Sequence, residues 1–508
     1  MTKNTKLNLK YVSDVIGGDY RNWKKGDRIL LKSQTGTGKS YFCLNILAPY
    51  VKSKYEKILI LANRKVLCEQ LEKDIPDELE NTITVWSYQK LNQMIINNED
   101  MDLNFDYIIC DEFHYVVNDS FTGKTHMTFE KLAKEYNPDI IRIYISATFD
   151  EIIERRIKKI VKDENMKYYA KDRKLFIYNT GRDYSYLIPN VFTRKETIIN
   201  KILNDNTQDK WIIFVTNKEQ GKDLRESLLD EGISTKFIYS NSNNEIIQNE
   251  LNNIVLKEKF STKVLITTAI LDNGVNLKDK NIKNIVYFGF DCNCNMIQSI
   301  GRVRFDSFNR AYNINLYIQK KTKKSIQAKI NVLKKNIKTI ESVMQDEENY
   351  RKSHRKDLYK IPQYIYLDEN DRFKVDILSF YNFKNELKFL QNMLDNYTEN
   401  IFVEKVCDVL NINKMSIKDI DEEVMENRIT KQEDETLSYL QSLIGQELDK
   451  QQQEELTQKI NIRDNFGRLK KSSSIIKPYL IKNYRIDLLT KRIVRKGKRI
   501  TVWVLDSL

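Results

Sequence analysis

The octapeptide Ser33-Gln34-Thr35-Gly36-Thr37-Gly38-Lys39-Ser40 has the residue types of a phosphate cradle. An apolar run, Arg28-Ile29-Leu30-Leu31, leads into it as a buried strand, and an apolar helical pattern through Phe42, Leu44, Ile46 and Leu47 follows. Glycines at 36 and 38 let backbone N–H groups turn toward an anion, and the helix N-terminus adds a favourable dipole. Thr35, Gly36, Thr37 and Gly38 would line the cradle, Lys39 would reach β- and γ-phosphates, and the Ser40 hydroxyl would hold Mg²⁺. The strict pattern has glycine where this chain has Ser33. The alternative is a Gly-rich turn with an incidental lysine.

A second constellation, Asp111-Glu112-Phe113-His114, closes the apolar run Tyr107-Ile108-Ile109-Cys110. Nucleotide chemistry needs such a pair: Asp111 to hold Mg²⁺, usually through water, and Glu112 to position and deprotonate an attacking water. Two surface acids after a strand are common, and the spacing of about 70 residues from the phosphate loop gives this pair its weight. Ser146-Ala147-Thr148 ends another apolar run. Further on, Gln298-Ser299-Ile300-Gly301-Arg302-Val303-Arg304 sets arginines beside a glycine, and an arginine facing a γ-phosphate across a cleft stabilises its transition state. An isolated motif of this kind is more often a basic surface turn.

These residues need strands to deliver them. Apolar runs at 57–62, 82–87, 105–110 and 143–146 alternate with helical patterns, which indicates a parallel α/β sheet. Ligands of such sheets collect at the carboxyl ends of strands, where Asn63, Arg64, Ser87 and Tyr88 fall. A last strand near 174–178 and a crossover lead to a second series at 211–215, 236–239, 263–268 and 284–288. The expected architecture is α/β: two tandem parallel-sheet lobes, 1–180 and 181–322, then a mainly helical region, 323–470, and a terminal basic module, 471–508. Arg21 and Trp23, ahead of the phosphate loop, are candidates for a base pocket.

The chain has 508 residues, 41% hydrophobic and 31% charged, enough to build several cores. Its formal net charge of +13 favours a polyanionic partner, nucleic acid first, unless the charge is spread evenly. Most of the six cysteines lie in apolar segments, as reduced cysteine does. Cys292-Asn293-Cys294 lacks a partner pair and reads as structural rather than zinc-binding. The first twenty residues are polar, and no apolar run approaches the ~20 residues of a membrane span. A reduced, intracellular (cytoplasmic), soluble protein, with no membrane partner and monomeric, is expected.

Taken together and in this order, the motifs resemble those of superfamily 2 helicases of the DExH-box group, over roughly residues 20–320. Thr-Gly-Thr-Gly-Lys-Ser looks like motif I, whose first glycine is commonly replaced, Asp111 to His114 like motif II, and Ser146 to Thr148 like motif III. Thr268 to Asn276 looks like motif V, with Asn276 where an aspartate is usual. Gln298 to Arg304 looks like motif VI, with Phe305 where the second arginine is usual and Arg304 one place earlier. The Gly-Arg-Val-Arg form is loosely similar to that of replication-origin-binding helicases of herpesviruses, plasmids and phages. The resemblance implies two RecA-like lobes, ATP and Mg²⁺, with Gly274 at the nucleotide and Gln298, Arg302 and Arg304 beside Glu112 as catalytic residues. It implies backbone contacts to nucleic acid from Asn63, Arg64, Ser87, Thr216 and Thr268. The implied activity is an ATP-dependent helicase or translocase, with DNA preferred over RNA. A site-specific binding protein with an ATPase switch is a further alternative.

In the last third, Ile326, Ile330, Leu333, Ile337, Ile340 and Met344 recur at heptad spacing, predicting a long amphipathic helix that braces the two lobes or forms a coiled coil. A hairpin is predicted from Tyr364-Ile365-Tyr366-Leu367 to Phe373-Lys374-Val375. Near the end, a helix capped by Ser472–Ser474, with Pro478 in its first turn, precedes a basic hairpin, 491–504, with Gly497 at its turn. This resembles the wing of a winged-helix module; Lys496, Lys498 and Arg499 are then nucleic-acid contacts. A plain basic hairpin is the alternative.

Overall fold

The computed structural model describes residues 9–63, 65–97, 104–118, 120, 125–132, 139–148, 151–167, 172–239, 249, 251, 253–254, 256–268, 277–290, 294–303, 313–354, 361–368, 370–422, 435–463, 468–495 and 498–507. The chain divides into two compact units, 1–419 and 420–508.

The first unit holds two parallel sheets. One contains β1 (Arg28–Lys32), β2 (Ile58–Ala62), β3 (Ile83–Ser87), β4 (Tyr107–Cys110), β5 (Ile141–Ser146) and β6 (Leu175–Asn179), in the order β3-β2-β4-β5-β1-β6. Strands buried on both faces read as unbroken apolar runs. Successive residues therefore enter different cores: Ile29 and Leu31 pack on one side of the sheet, and Leu30 on the other. The second sheet contains β7 (Leu187–Phe192), β8 (Lys210–Phe214), β9 (Thr235–Ile238), β10 (Val264–Thr267), β11 (Ile282–Tyr287) and β12 (Ile314–Gln319), and a two-residue β15 (Lys418–Asp419) pairs with β7 at its edge. The strand patterns predicted β8 to β11. They missed β12 and β7, the latter because Pro189 interrupts its pattern. Proline cannot donate to a ladder, and β15 pairs only with Asn190 and Val191, past it.

The predicted long helix spans Lys323–Gln345, with Val343 buried in the place expected for Met344, which is 56% exposed. The predicted hairpin forms as β13 (Ile365–Leu367) and β14 (Phe373–Val375). The element that ties the lobes together is the next helix, Ile377–Asp395, 19 residues or about 28 Å long at about 1.5 Å per residue. Leu378 at its start sits in the core of the first lobe, whereas Leu390 and Met393 sit in that of the second. The fully buried Asp376 caps this helix through the backbone N–H groups of Leu378 (2.9 Å) and Ser379 (3.2 Å). It also accepts from Thr125 Oγ1 (3.3 Å) and the His126 backbone N–H (3.2 Å) of the first lobe, and Tyr366 Oη lies 2.8 Å from His126 Nε2.

Just past β12, Lys321 is 4% exposed, with its Nζ donating to Phe288 O (3.0 Å) and Gln319 Oε1 (3.2 Å) between the rings of Phe290 and Phe402. Burial lowers its pKa from 10.5 to about 7. The unfolded chain keeps this proton up to about pH 10.5, while the folded chain releases it above about 7. Stability therefore rises with pH across that window, by about 1.4 kcal/mol per pH unit at most. Urea melts of wild type and Lys321→Met at pH 7 and 10 should differ in slope by this amount, and parallel pH profiles would contradict it.

The second unit runs helix 435–442, β16 (Glu447–Leu448), helix Lys450–Ile460, helix Ser473–Tyr484, β17 (Ile486–Arg495) and β18 (Lys498–Ser507), with an antiparallel sheet in the order β16-β18-β17. Leu440, Leu443, Leu456 and Ile460 share one core with Ile476, Leu480, Leu488, Trp503 and Leu505. The expected division at 470/471 therefore cuts through a core, and the boundary falls at 419/420 instead. Pro478 is also placed differently than expected. The helix begins at Ser473, so Pro478 lies beyond the first turn and removes the N–H that Ser474 O would accept.

Candidate nucleotide and nucleic-acid site

The phosphate loop leaves the carboxyl end of β1. Gly36 and Gly38 have φ of 86° and 81°, the left-handed region where glycine is favoured, and the helix starts at Lys39. Ser33, in place of the usual glycine, closes the loop from within: its Oγ lies 2.7 Å from Thr37 Oγ1, which also reaches Gln34 O at 2.7 Å. Thr35 and Thr37 are buried and Ser40 is exposed. Trp23, a base-pocket candidate, is instead buried in the first lobe's core, 3.5 Å from Tyr178 Oη. The Arg21 guanidinium lies over the Tyr20 ring at 4.7 Å.

The acid pair stands at the end of β4, two strands from the phosphate loop. Glu112 holds φ of 45°, a conformation that costs a non-glycine residue energy and marks a position held by its surroundings. Its Oε1 is 3.0 Å from Lys39 Nζ and its Oε2 is 3.3 Å from His114 Nδ1, which lies 3.2 Å from Ser146 Oγ. Motifs I, II and III are thus joined through one carboxylate. Burial pushes the Asp111 carboxyl up. Burial acts the same way on Glu112, but Lys39 and His114 outweigh it and hold that carboxyl well below its usual range. Glu112 is therefore ionised at neutral pH, as a general base must be. Tyr88, expected at a ligand-facing end, is fully buried and donates to Asp111 O at 2.9 Å.

Across the cleft, the helix Cys294–Arg302 presses on the loop. A Cβ on Gly301 would sit 2.4 Å from Thr35 Oγ1, so only glycine permits this approach. Arg302, 3% exposed, donates to Gln298 Oε1 at 3.1 Å, and its charge contributes to lowering the Glu112 pKa. Gln298 is 2% exposed, and its Nε2 has no hydrogen-bond partner among the described residues. The donor set fits a nucleoside triphosphate: backbone N–H groups at a helix start, Lys39, an arginine from the facing lobe and an unsatisfied buried amide. Ser40 and Asp111 fit Mg²⁺, which typically takes one or two protein ligands plus phosphate oxygens. Arg304 and Gly274 lie outside the described residues, as do Arg64, Lys496 and most of the motif V stretch.

The expected nucleic-acid contacts divide by exposure. Asn63 is 5% exposed and accepts from Gln89 Nε2 at 3.0 Å, which leaves Gln89 as the exposed partner. The Ser87 hydroxyl caps its helix through the Lys90 N–H (3.0 Å), and Lys90 lies over the Trp86 ring at 4.6 Å. In the sequence Gln89 and Lys90 read only as polar residues at the end of a strand, whereas they lie in the first turn of the helix Tyr88–Ile96. Thr216 is exposed, and the buried Thr268 Oγ1 has no hydrogen-bond partner among the described residues. Arg499 is exposed on β18, and Lys498 stands at that strand's start.

Two family models match this chain: "Type III restriction enzyme, res subunit" over residues 1–82 and 72–151, and "Helicase conserved C-terminal domain" over 194–305. They cover, in order, the lobe bearing the phosphate loop and the lobe bearing Arg302. The chain belongs to the superfamily 2 helicases, whose core is a pair of RecA-like lobes that hydrolyse ATP. It is similar to DEAD-box ATP-dependent RNA helicase 38 of Arabidopsis thaliana, 22% identical over 170 residues, which are 33% of each chain. It thus spans about a third of that relative's length. Among solved structures it is similar to S. cerevisiae Dbp5 bound to RNA and ADP BeF3, with TM-score 0.44, 15% identity, and coverage of 59% of this chain and 82% of that one. It is also similar to a DEAD box protein from Methanococcus jannaschii, with TM-score 0.34, 16% identity, and coverage of 60% and 85%. No described helix is long and apolar enough to cross a membrane.

Proposed function

We propose that this protein is an ATP- and Mg²⁺-dependent helicase or translocase of the DExH group that acts on DNA. The observation that carries the catalytic part is the convergence of Lys39, Glu112, His114 and Ser146 on one side of the cleft with Arg302 buried on the other. Lys39 and Arg302 bind and orient phosphate oxygens, Glu112 takes the proton of the attacking water, and Ser40 and Asp111 hold the metal. His114 and Ser146 link this chemistry to the strand-binding side, where Gln89, Lys90, Thr216 and Thr268 supply contacts blind to base identity. The second unit serves as a winged-helix module. Its helix-and-strand order and its three-stranded sheet support that reading, and its exposed Lys491, Arg492 and Arg499 have no ion-pair partner among the described residues.

RNA is the second reading, favoured by the similarity to an Arabidopsis RNA helicase. ATP turnover measured with single-stranded DNA, duplex DNA and RNA, alongside strand displacement, separates the two; stimulation without displacement would leave a binding switch. The wing has its own test. Replacing Lys491, Arg492 and Arg499 together by Gln keeps the shared core intact, whereas cutting at 472 would remove half of it. The triple variant should bind duplex DNA with a log–log salt slope reduced by about 0.9 for each lost phosphate contact, with ATP turnover on a single strand unchanged. An unchanged slope would remove the wing from the interface.

A further inference from the structure

The passage between the lobes is short. The first lobe's last strand ends at Asn179, and Tyr184, 2% exposed, already belongs to the second lobe's core. Only residues 180–183 lie between, with Gly181 at φ of 77° making the turn. Several of their bonds run to the nucleotide site of the first lobe. Thr180 N donates to Lys32 O (3.0 Å), and Thr180 Oγ1 accepts from Gln34 N (3.1 Å). The Gln34 side chain, 4% exposed and part of the phosphate loop, clasps Asp183 as a second backbone would: Asp183 N donates to its Oε1 (2.8 Å), and its Nε2 donates to Asp183 O (3.3 Å). Arg182 Nη2 donates to Ala147 O (2.7 Å), the middle residue of Ser-Ala-Thr.

From this geometry we infer that Gln34 and Arg182 are positioning residues for Arg302. The inference rests on the ATP-hydrolysing reading above and deepens it. Neither residue needs to touch nucleotide. Arg302 reaches the site only because the second lobe is set at an angle that brings Gly301 against Thr35. The helix Ile377–Asp395 and this passage of four residues set that angle together, so it depends on where residues 180–183 are held. Gln34 holds them to the phosphate loop and Arg182 holds them to the strand end that carries Ser146, the partner of His114. A shift in either loop is thereby passed to the lobe bearing the finger. An amide is suited to the Gln34 position because it donates and accepts in parallel, which neither a carboxylate nor an alkyl chain does.

The test is a set of double-mutant cycles on the full chain, reading kcat and KM for ATP at saturating single-stranded nucleic acid. Gln34→Ala and Arg182→Ala should each lower kcat by about 10- to 100-fold, the cost of misplacing a catalytic group by about an ångström, with KM changed less than about threefold. In an Arg302→Ala background, followed by single turnover, each should cost less than about twofold, because the finger they position is gone. Costs that multiply in full in that background, or losses confined to KM, overturn the inference. Should Gln34→Ala melt several degrees early, Arg182→Ala carries the test alone, since its guanidinium is partly exposed and meets one carbonyl. An Arg302→Ala protein that turns over at the wild-type rate would instead defeat the catalytic reading on which this inference stands, so the two failures are distinguishable.

Discussion

Glu112→Gln will bind ATP and fail to hydrolyse it. The substitution keeps size and shape but removes the carboxylate proposed to take the proton of the attacking water, the one that Lys39 and His114 hold ionised. General-base catalysis is worth roughly 10²- to 10⁴-fold, so turnover should fall by that factor while nucleotide affinity holds. Affinity should rise slightly, because Lys39, shared with Glu112 at 3.0 Å in the wild type, gains full access to the phosphates. Lys39→Ala separates binding from chemistry in the opposite sense. It removes the phosphate contact and leaves Glu112 with His114 alone, so binding of a fluorescent ATP analogue should be lost together with turnover. Near-normal turnover by Glu112→Gln would sink the assignment of the base.

Arg302→Ala will lower turnover by about a thousandfold or more with little change in nucleotide affinity, as loss of an arginine finger does. The residue is 3% exposed, lies on the helix whose Gly301 touches the phosphate loop, and is charge-coupled to Glu112. A guanidinium so buried, held by the Gln298 side chain at 3.1 Å, is oriented before substrate arrives. Arg302→Lys keeps the charge and should recover little, because lysine cannot reproduce the planar fork. Arg304→Ala should be milder, since its place in the motif is displaced by one. Equal small effects from Arg302→Ala and Arg304→Ala would mean that neither meets the phosphate.

The motifs were legible in the sequence because they are local. Gly36, Gly38 and Lys39 sit in one turn, Asp111 and Glu112 follow one strand, and Arg302 follows one glycine. Each motif carries its own backbone requirement, so it can be read without knowing the fold. The parallel sheets were legible for the same reason, wherever a strand is an unbroken apolar run. What the sequence hid is contact between distant segments. Nothing in Gln34 or Arg182 announces that they meet residues 149 and 35 positions away, and nothing marks Asp376 as the partner of Thr125 and His126. Strand β7 was hidden by Pro189, and the extent of the terminal module by a core that joins Leu440 to Leu505 across a polar stretch. The expected contacts Asn63 and Ser87 lie at the right strand ends, but their side chains serve Gln89 and a helix cap, which only packing reveals.

The helix Ile377–Asp395 bears on how this molecule melts. Two lobes joined only by four residues would unfold in separate transitions. Here one rigid rod is embedded in both hydrophobic cores, so neither lobe can open without extracting part of the other's interior. Cooperativity is thus shared across the pair. Ile109→Ala, deep in the first sheet and expected to cost about 2–5 kcal/mol, should lower the melting temperature reported by Trp211 in the second sheet as much as that reported by first-lobe probes. Calorimetry should resolve a single endotherm for the two lobes, and a Trp211 signal indifferent to Ile109→Ala would show the lobes to be thermodynamically independent.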